Sequence, residues 1–317
     1  MSDVADVVAT RGPELTERLD RIESRLRAIA AEAAPPLDRL AGDTIAAGGK
    51  RLRPLLVLLA AGPAAAALDD DRGLIRAGVA VELVHSATLV HDDVLDAAPL
   101  RRGRPTVWSV AGREGATATG DYLFARAFSE LVAGGSVEAI RALSDASSGL
   151  AAGELLQRED AFRADVPIER YLLRCELKTA RLFEAACRLG ALEAGGPVDA
   201  LAAFGRRIGL AFQLLDDVLD VSGPVERTGK PRGTDLLDGT VTLPFILARE
   251  RDPSLRDAAR PATPAEAEAV CDRIAATGAL DEARERALEI VADAKRELPY
   301  DDEALRLVAD GVVARYS

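Results

Sequence analysis

The sequence predicts an all-α protein built as one large helical bundle. Three observations predict it. Apolar residues recur at helical spacing along almost the whole chain, with no convincing alternating strand. Ala and Leu dominate while aromatic residues make up only 4%, a composition that favours helix over sheet. Glycine and proline punctuate the chain at intervals of helix length.

In chain order, the first helix is expected at 14–33, ahead of Pro35-Pro36. Segments at 37–47 and 52–61 lie on either side of Gly48-Gly49, and Gly62-Pro63 ends the second. A long apolar helix follows at 73–97, before a break at Gly103 to Pro105. Gly112 and Gly134-Gly135 delimit 114–133, and further helices are expected at 136–161, 167–190 and 197–222. The stretch 223–239, with Arg227, Gly229, Lys230, Arg232 and Gly233, reads as a basic loop of the sort that carries function. Helices at 240–250, 264–277, 279–297 and 301–315 complete the chain. No polar linker divides it, so residues 1–317 are expected to form a single domain.

The 317 residues carry 52 Asp and Glu against 40 Lys and Arg, a net charge of −12. That balance excludes capture of nucleic acid or anionic membrane through bulk charge. Cys175, Cys187 and Cys271 lie far apart without zinc-ligand spacing, which suits reduced thiols in the cytoplasm. The N-terminus has no apolar signal core. The greasiest run, Leu55 to Leu68, is interrupted and falls short of the ~20 residues of a spanning helix, so no transmembrane segment is expected.

Asp92, Asp93 and Asp96 form a DDxxD cluster in the apolar stretch VELVHSATLVHDDVLD. Asp92 and Asp96 share a helix face, where like charges repel unless solvated or bridged by a hard cation. One such cluster alone decides nothing between those readings. The pattern recurs, however, as Asp216, Asp217 and Asp220 in GLAFQLLDDVLDVSG. If the two helices oppose each other across the bundle, six carboxylates line one cavity, an oxygen-rich site for Mg²⁺.

Such a site suggests a diphosphate as the shared ligand, and basic residues accompany both clusters. Gly48-Gly49-Lys50-Arg51-Leu52-Arg53-Pro54 joins a flexible pair to fork-shaped donors. Arg101-Arg102 follows the first cluster, Lys178-Thr179 lies mid-chain and Lys230 follows the second. His85 stands seven residues before Asp92, two turns along the same face, whereas His91 points elsewhere and reads as structural.

GGKRLRP, HSATLVHDDVLD, LRRGRPT, the KT pair, FQLLDD and GK…DLLDG…TLP, in that order over residues 48–245, resemble the trans-polyprenyl diphosphate synthase family. The resemblance implies the isoprenoid-synthase type of helical bundle around a central cavity, usually as a homodimer. It implies that Asp92, Asp96 and Asp216, helped by Asp93, Asp217 and Asp220, hold three Mg²⁺. Arg101, Lys178, Thr179, Gln213 and Lys230 would contact an allylic diphosphate (geranyl, farnesyl or geranylgeranyl). Lys50, Arg53, His85 and Arg102 would hold the diphosphate of isopentenyl diphosphate. Asp92, Asp96, Asp216, Lys178 and Lys230 would then be catalytic.

The family sets product length with residues four or five positions before the first motif. Here these are Thr88 and Ala87, both small, with Val84 and Val81 deeper and Phe124 and Phe128 placed to close the tunnel opposite. This resembles long-chain bacterial synthases, with geranylgeranyl length as the next choice. A terpene cyclase would need no isopentenyl site, so Lys50, Arg53 and His85 speak against it. A non-catalytic subunit of a two-component synthase would be expected to lack the aspartate motifs. A helical metal-binding protein without turnover would leave the basic residues unexplained.

Overall fold

The structure, a computed structural model, describes residues 2–223 and 231–314. They fall into two compact units. The first comprises Met1–Ser147, Leu182–Gly205 and Pro299–Leu307, the second Ser148–Arg181, Arg206–Leu298 and Val308–Ser317.

In the first unit, helix α1 (Ser2–Arg11) precedes α2 (Pro13–Ala31), α3 (Leu37–Ala46) and α4 (Leu52–Ala60). Pro13 opens α2 at a position where its missing N–H is no loss. The helix buries Leu15, Ile22, Leu26 and Ile29, one stripe at helical period. Helix α1 was not expected from the sequence, whose apolar period starts later. Its last residue, Arg11, pairs with the buried Asp302, which accepts from Leu305 N at 3.0 Å.

Helix α5 (Arg72–Leu95) is buried around most of its circumference and packs most extensively against α6 (Val107–Gly134). Among the described residues it alone is long and apolar enough to cross a membrane, but 72% of its most apolar window is buried in protein. A central core helix explains that composition. Two two-residue strands, β1 (Leu100–Arg101) and β2 (Arg104–Pro105), form a small antiparallel hairpin after α5. The sequence reading held only a break there, because a turn this short carries no alternation. Thr106 caps α6 by accepting from Ser109 N at 3.1 Å. Gly112, at φ 71°, breaks α6 where the sequence places a break.

Helix α7 (Val137–Glu159) continues into the second unit. There α8 (Ile168–Cys175) leads into a five-residue π-helical turn, Glu176–Ala180, before α9 (Arg181–Ala194). One uninterrupted helix over 167–190 was expected. Gly153 of α7 lies so close to the turn that a Cβ there would stand 2.7 Å from Lys178 N. A turn of this kind re-aims side chains within a helix and often marks a functional segment. Helix α10 (Val198–Ser222) carries the second aspartate motif. The short turn Thr234–Leu237 and helices Leu243–Arg251, Pro264–Ala276, Ala279–Arg296 and Glu303–Ala314 follow.

Candidate active site

Both aspartate motifs lie at the C-terminal ends of their helices. Asp96 is the C-cap of α5 and its N–H donates to Asp92 O at 2.8 Å. Asp216, Asp217 and Asp220 occupy the last two turns of α10, which ends at Ser222. The exposed carbonyls of a helix C-terminus carry partial negative charge, so carboxylates there are doubly unfavourable without a cation. The helix bounds expected from the sequence, 73–97 and 197–222, already put both motifs at those ends.

In the first unit the middle carboxylate is the buried one. Asp93 is 4% exposed and its Oδ1 accepts from Arg101 Nε at 2.8 Å. Burial raises its pKa against the pull of Arg101, with Asp96 adding to the rise. Asp92 is half-buried and Asp96 exposed. The last turn of α5 thus turns one aspartate inward and leaves two at the surface.

The Gly48–Pro54 segment builds the cationic part. Arg51, at φ 47°, precedes α4 and is gripped from three helices. It donates to Glu82 Oε1 at 2.7 Å, Glu23 Oε2 at 2.9 Å and Ile45 O at 3.0 Å. Burial raises the pKa of Glu82, countered by Arg51, Arg53 and Arg102. The Arg53 guanidinium lies 4.8 Å from the Phe183 ring centroid, and its buried Nε has no hydrogen-bond partner. Burial lowers Arg53 to about 10, with Glu82 opposing, so it stays charged. Arg102 donates to Gly48 O and is exposed, as is Lys50. The imidazole of His85 feels this cluster. Burial lowers its pKa well below 6.5, and Arg53, Arg102 and Arg101 lower it further, so it is neutral at physiological pH.

Along α5, His85, Thr88 and Asp92 are partly exposed, and Thr88 Oγ1 donates to His85 O at 2.8 Å. Ala87, Val84 and Val81 are each 0% exposed. Ala87 was expected beside Thr88 at the floor of a tunnel, but its side chain is packed in protein. The accessible stripe passes through Thr88. Phe124 stacks on His91, with ring centroids 5.9 Å apart at 17°, and Phe128 is half-buried.

In the second unit, Lys178 pairs with Glu154, which also accepts from Arg158 Nε at 2.8 Å. Burial would raise Glu154, yet Lys178 and Arg158 hold it below its ordinary value. Thr179 Oγ1 donates to Gln213 Oε1 at 2.7 Å, and Gln213 Nε2 donates to Asp217 Oδ1 at 2.7 Å. The other Asp217 oxygen accepts from Tyr171 Oη at 2.7 Å. Burial and neighbouring Asp235 push Asp217 up to about 7 against the pull of Arg174. Asp220 Oδ2 accepts from Asp235 N at 3.2 Å, tying the returning loop to α10. The structure therefore brings Thr179, Gln213 and Asp217 together. Lys230 lies outside the described residues.

Sequence reasoning missed Glu82, Glu154 and Tyr171, and it grouped Arg51 with the diphosphate donors, whereas the fold binds it to Glu82, Glu23 and Ile45 O. A signal existed for Glu82, a lone charge in an otherwise apolar stretch three residues before His85. For Tyr171 and Glu154 none did, because their partners lie 46 and 24 residues away.

Among the described residues, no three His, Cys, Asp or Glu side chains come together as a metal cage. Mg²⁺ does not need one. It binds through one or two carboxylates, water and substrate phosphate oxygens. Surface aspartates at the C-terminus of α5 and the oxygen-only motif on α10 fit that preference.

A family model described as polyprenyl synthetase matches residues 34–276. The chain belongs to the polyprenyl synthetase family. It is similar to heptaprenyl diphosphate synthase component 2 of Geobacillus stearothermophilus, 42% identical over 273 residues that cover 84% of each chain. It also resembles geranylgeranyl diphosphate synthase of Methanosarcina mazei, 37% identical over 284 residues, 85% of this chain and 86% of that one. A solved polyprenyl synthase from Caulobacter crescentus, complexed with calcium and isoprenyl diphosphate, superposes with a TM-score of 0.89 at 36% identity, covering 99% of this chain and 98% of that one. This synthetase is thus a prenyltransferase of the prenyl diphosphate synthase family with the all-α isoprenoid-synthase fold.

Proposed function

We propose that the enzyme joins isopentenyl diphosphate head-to-tail to an allylic diphosphate in a Mg²⁺-dependent reaction, and that its product is a long-chain polyprenyl diphosphate. The observation that carries the reading is the buried Arg53 guanidinium, its Nε without a protein partner, beside neutral His85 and Arg102. A terpene cyclase has no use for that second diphosphate site. The two intact aspartate motifs argue against the non-catalytic member of a two-component synthase.

In this reading Lys50, Arg53, Arg102 and His85 hold the diphosphate of isopentenyl diphosphate, His85 as a neutral hydrogen-bond donor. Arg101, Lys178, Thr179, Gln213 and Lys230 contact the allylic diphosphate. Asp92 and Asp96 on α5 and Asp216 on α10 are the Mg²⁺ ligands, three ions in all. Asp93, Asp217 and Asp220 support them through the hydrogen bonds described above. Mg²⁺ held by these aspartates would supply positive charge against the negative charge of a departing diphosphate.

The cationic side chains act in the same sense, stabilising charge as it develops on the leaving group. The allylic C–O bond breaks with its electron pair on the diphosphate, and the double bond of isopentenyl diphosphate forms the new C–C bond. The proton then lost passes to the released diphosphate. No protein nucleophile is required, and holding the partners aligned supplies the rest of the rate. The reading places the enzyme in the cytoplasm as a homodimer, and its three free, buried cysteines suit a reducing compartment.

The test is incubation of the purified protein with Mg²⁺, farnesyl diphosphate and labelled isopentenyl diphosphate. Extended labelled chains are expected, and their length is read by chromatography. No incorporation with any allylic primer from five to twenty carbons overturns the reading.

A further inference from the structure

Four polar side chains of the second unit form one hydrogen-bonded chain, from Thr179 through Gln213 to Asp217, met from the far side by Tyr171. Its polarity is set from one end. Tyr171 Oη and Gln213 Nε2 both donate to Asp217, which leaves the Gln213 oxygen to accept from Thr179. That choice directs the Thr179 hydroxyl hydrogen and leaves Gln213 one further N–H for a ligand. Both residues sit where the KT turn and α10 meet, and the Glu176–Ala180 π turn delivers Thr179 to that point.

Tyr171 is 0% exposed. Phenylalanine would fill the same space, so packing gives no reason for a hydroxyl. Its hydroxyl donates to Asp217 Oδ2 at 2.7 Å and also meets the buried Cys175 thiol. The Arg174 guanidinium lies 5.1 Å from the Tyr171 ring and donates to Val241 O, which holds the ring from behind. Every polar side chain in the line is thereby oriented by the one before it, starting from a tyrosine that no ligand can reach.

We propose that Tyr171 is a positioning residue for the allylic diphosphate, acting through Asp217 to present Gln213 and Thr179 to the ligand. The inference rests on the proposed role of Gln213 and Thr179 as diphosphate contacts.

The test compares wild type, Tyr171→Phe, Asp217→Asn and the double variant. KM is measured separately for farnesyl and isopentenyl diphosphate. Affinity for inorganic diphosphate with Mg²⁺ is measured by calorimetry, at a temperature where all four are folded. Tyr171→Phe is expected to raise the allylic KM about five- to twentyfold and to leave the isopentenyl KM within about twofold. If Tyr171 acts through Asp217, adding Tyr171→Phe to Asp217→Asn changes the allylic KM by less than about twofold. An equal rise in both KM values, or a Tyr171→Phe effect undiminished in the Asp217→Asn background, overturns the inference.

If wild type forms no product, the prenyltransfer reading fails separately, and calorimetry decides. Several-fold weaker diphosphate binding in Tyr171→Phe upholds positioning, and unchanged binding sinks it. Should Tyr171→Phe not fold, ring-labelled tyrosine in the wild type serves, since the chain has only four tyrosines. The Tyr171 resonance is expected to shift on diphosphate binding, and its failure to move refutes the proposal.

Discussion

Arg101 Nε donates to Asp93 Oδ1 at 2.8 Å across the turn that ends α5, and Asp93 is the buried aspartate of the first motif while Asp92 is half-buried and Asp96 exposed. In the second motif the middle carboxylate Asp217 likewise accepts from protein, from both Tyr171 and Gln213, but there Asp220 is buried as well and accepts from Asp235 N. Helical spacing already sets Asp92 and Asp96 on one face with Asp93 to the side. The folded protein makes the middle member of each motif an internal acceptor.

Asp92→Asn and Asp216→Asn are each expected to lower kcat by about 10²–10³, the scale for losing one preorganised electrostatic contact. Asp93→Asn frees Arg101 from its anchor without removing a surface ligand, and its loss should be smaller. Steady-state rates at saturating Mg²⁺ decide. Near-normal kcat in Asp92→Asn would remove it from the metal site.

Product length should respond at Thr88. It shares the accessible stripe of α5 with His85 and Asp92, so Thr88→Phe is expected to shorten the main product, read on the chromatogram. Ala87 is 0% exposed, and Ala87→Phe should instead overpack the core, costing about 1–3 kcal/mol in a melting experiment. A shorter product from Ala87→Phe, with no loss of stability, would restore Ala87 to the tunnel.

Chelation should abolish product formation while leaving the melting temperature of the free protein nearly unchanged. In the proposed reading the cation completes a substrate site and does not hold the fold together. A large fall in melting temperature with chelator would contradict this.

The His85 pKa is lowered by burial and by Arg53, Arg102 and Arg101. Below about pH 6.5 the unfolded chain therefore binds a proton that the folded chain refuses. Stability contributed above pH 6.5 is lost as pH falls towards the folded value. Asp217, raised to about 7, works in the opposite direction over an overlapping range. The measured quantity is thus the difference between wild type and His85→Gln in denaturant melts from pH 7.5 to 5.5. The wild type should lose stability relative to the variant across that range, and parallel curves would show His85 protonating freely.

Much of the fold was legible because helices are local. The 3.6-residue period and the Gly and Pro breaks located α2 to α5 and α10 to within a few residues, and Gly112 marked the break in α6. The π turn at Glu176–Ala180 was not legible, since the contact that accompanies it is with Gly153 of another helix. The same holds for the ion pair of Glu82 with Arg51, 31 residues apart in sequence.

The sequence by itself determined the family, the two acidic motifs and the basic residues that accompany them, because motif order and residue type survive without coordinates. Tertiary structure decided what each of those residues faces. It turned Asp93 and Asp217 onto protein donors, packed Ala87 away while leaving Thr88 accessible, and kept His85 neutral among arginines. Those outcomes depend on burial and on partners brought from distant segments, and helical spacing carries information about neither.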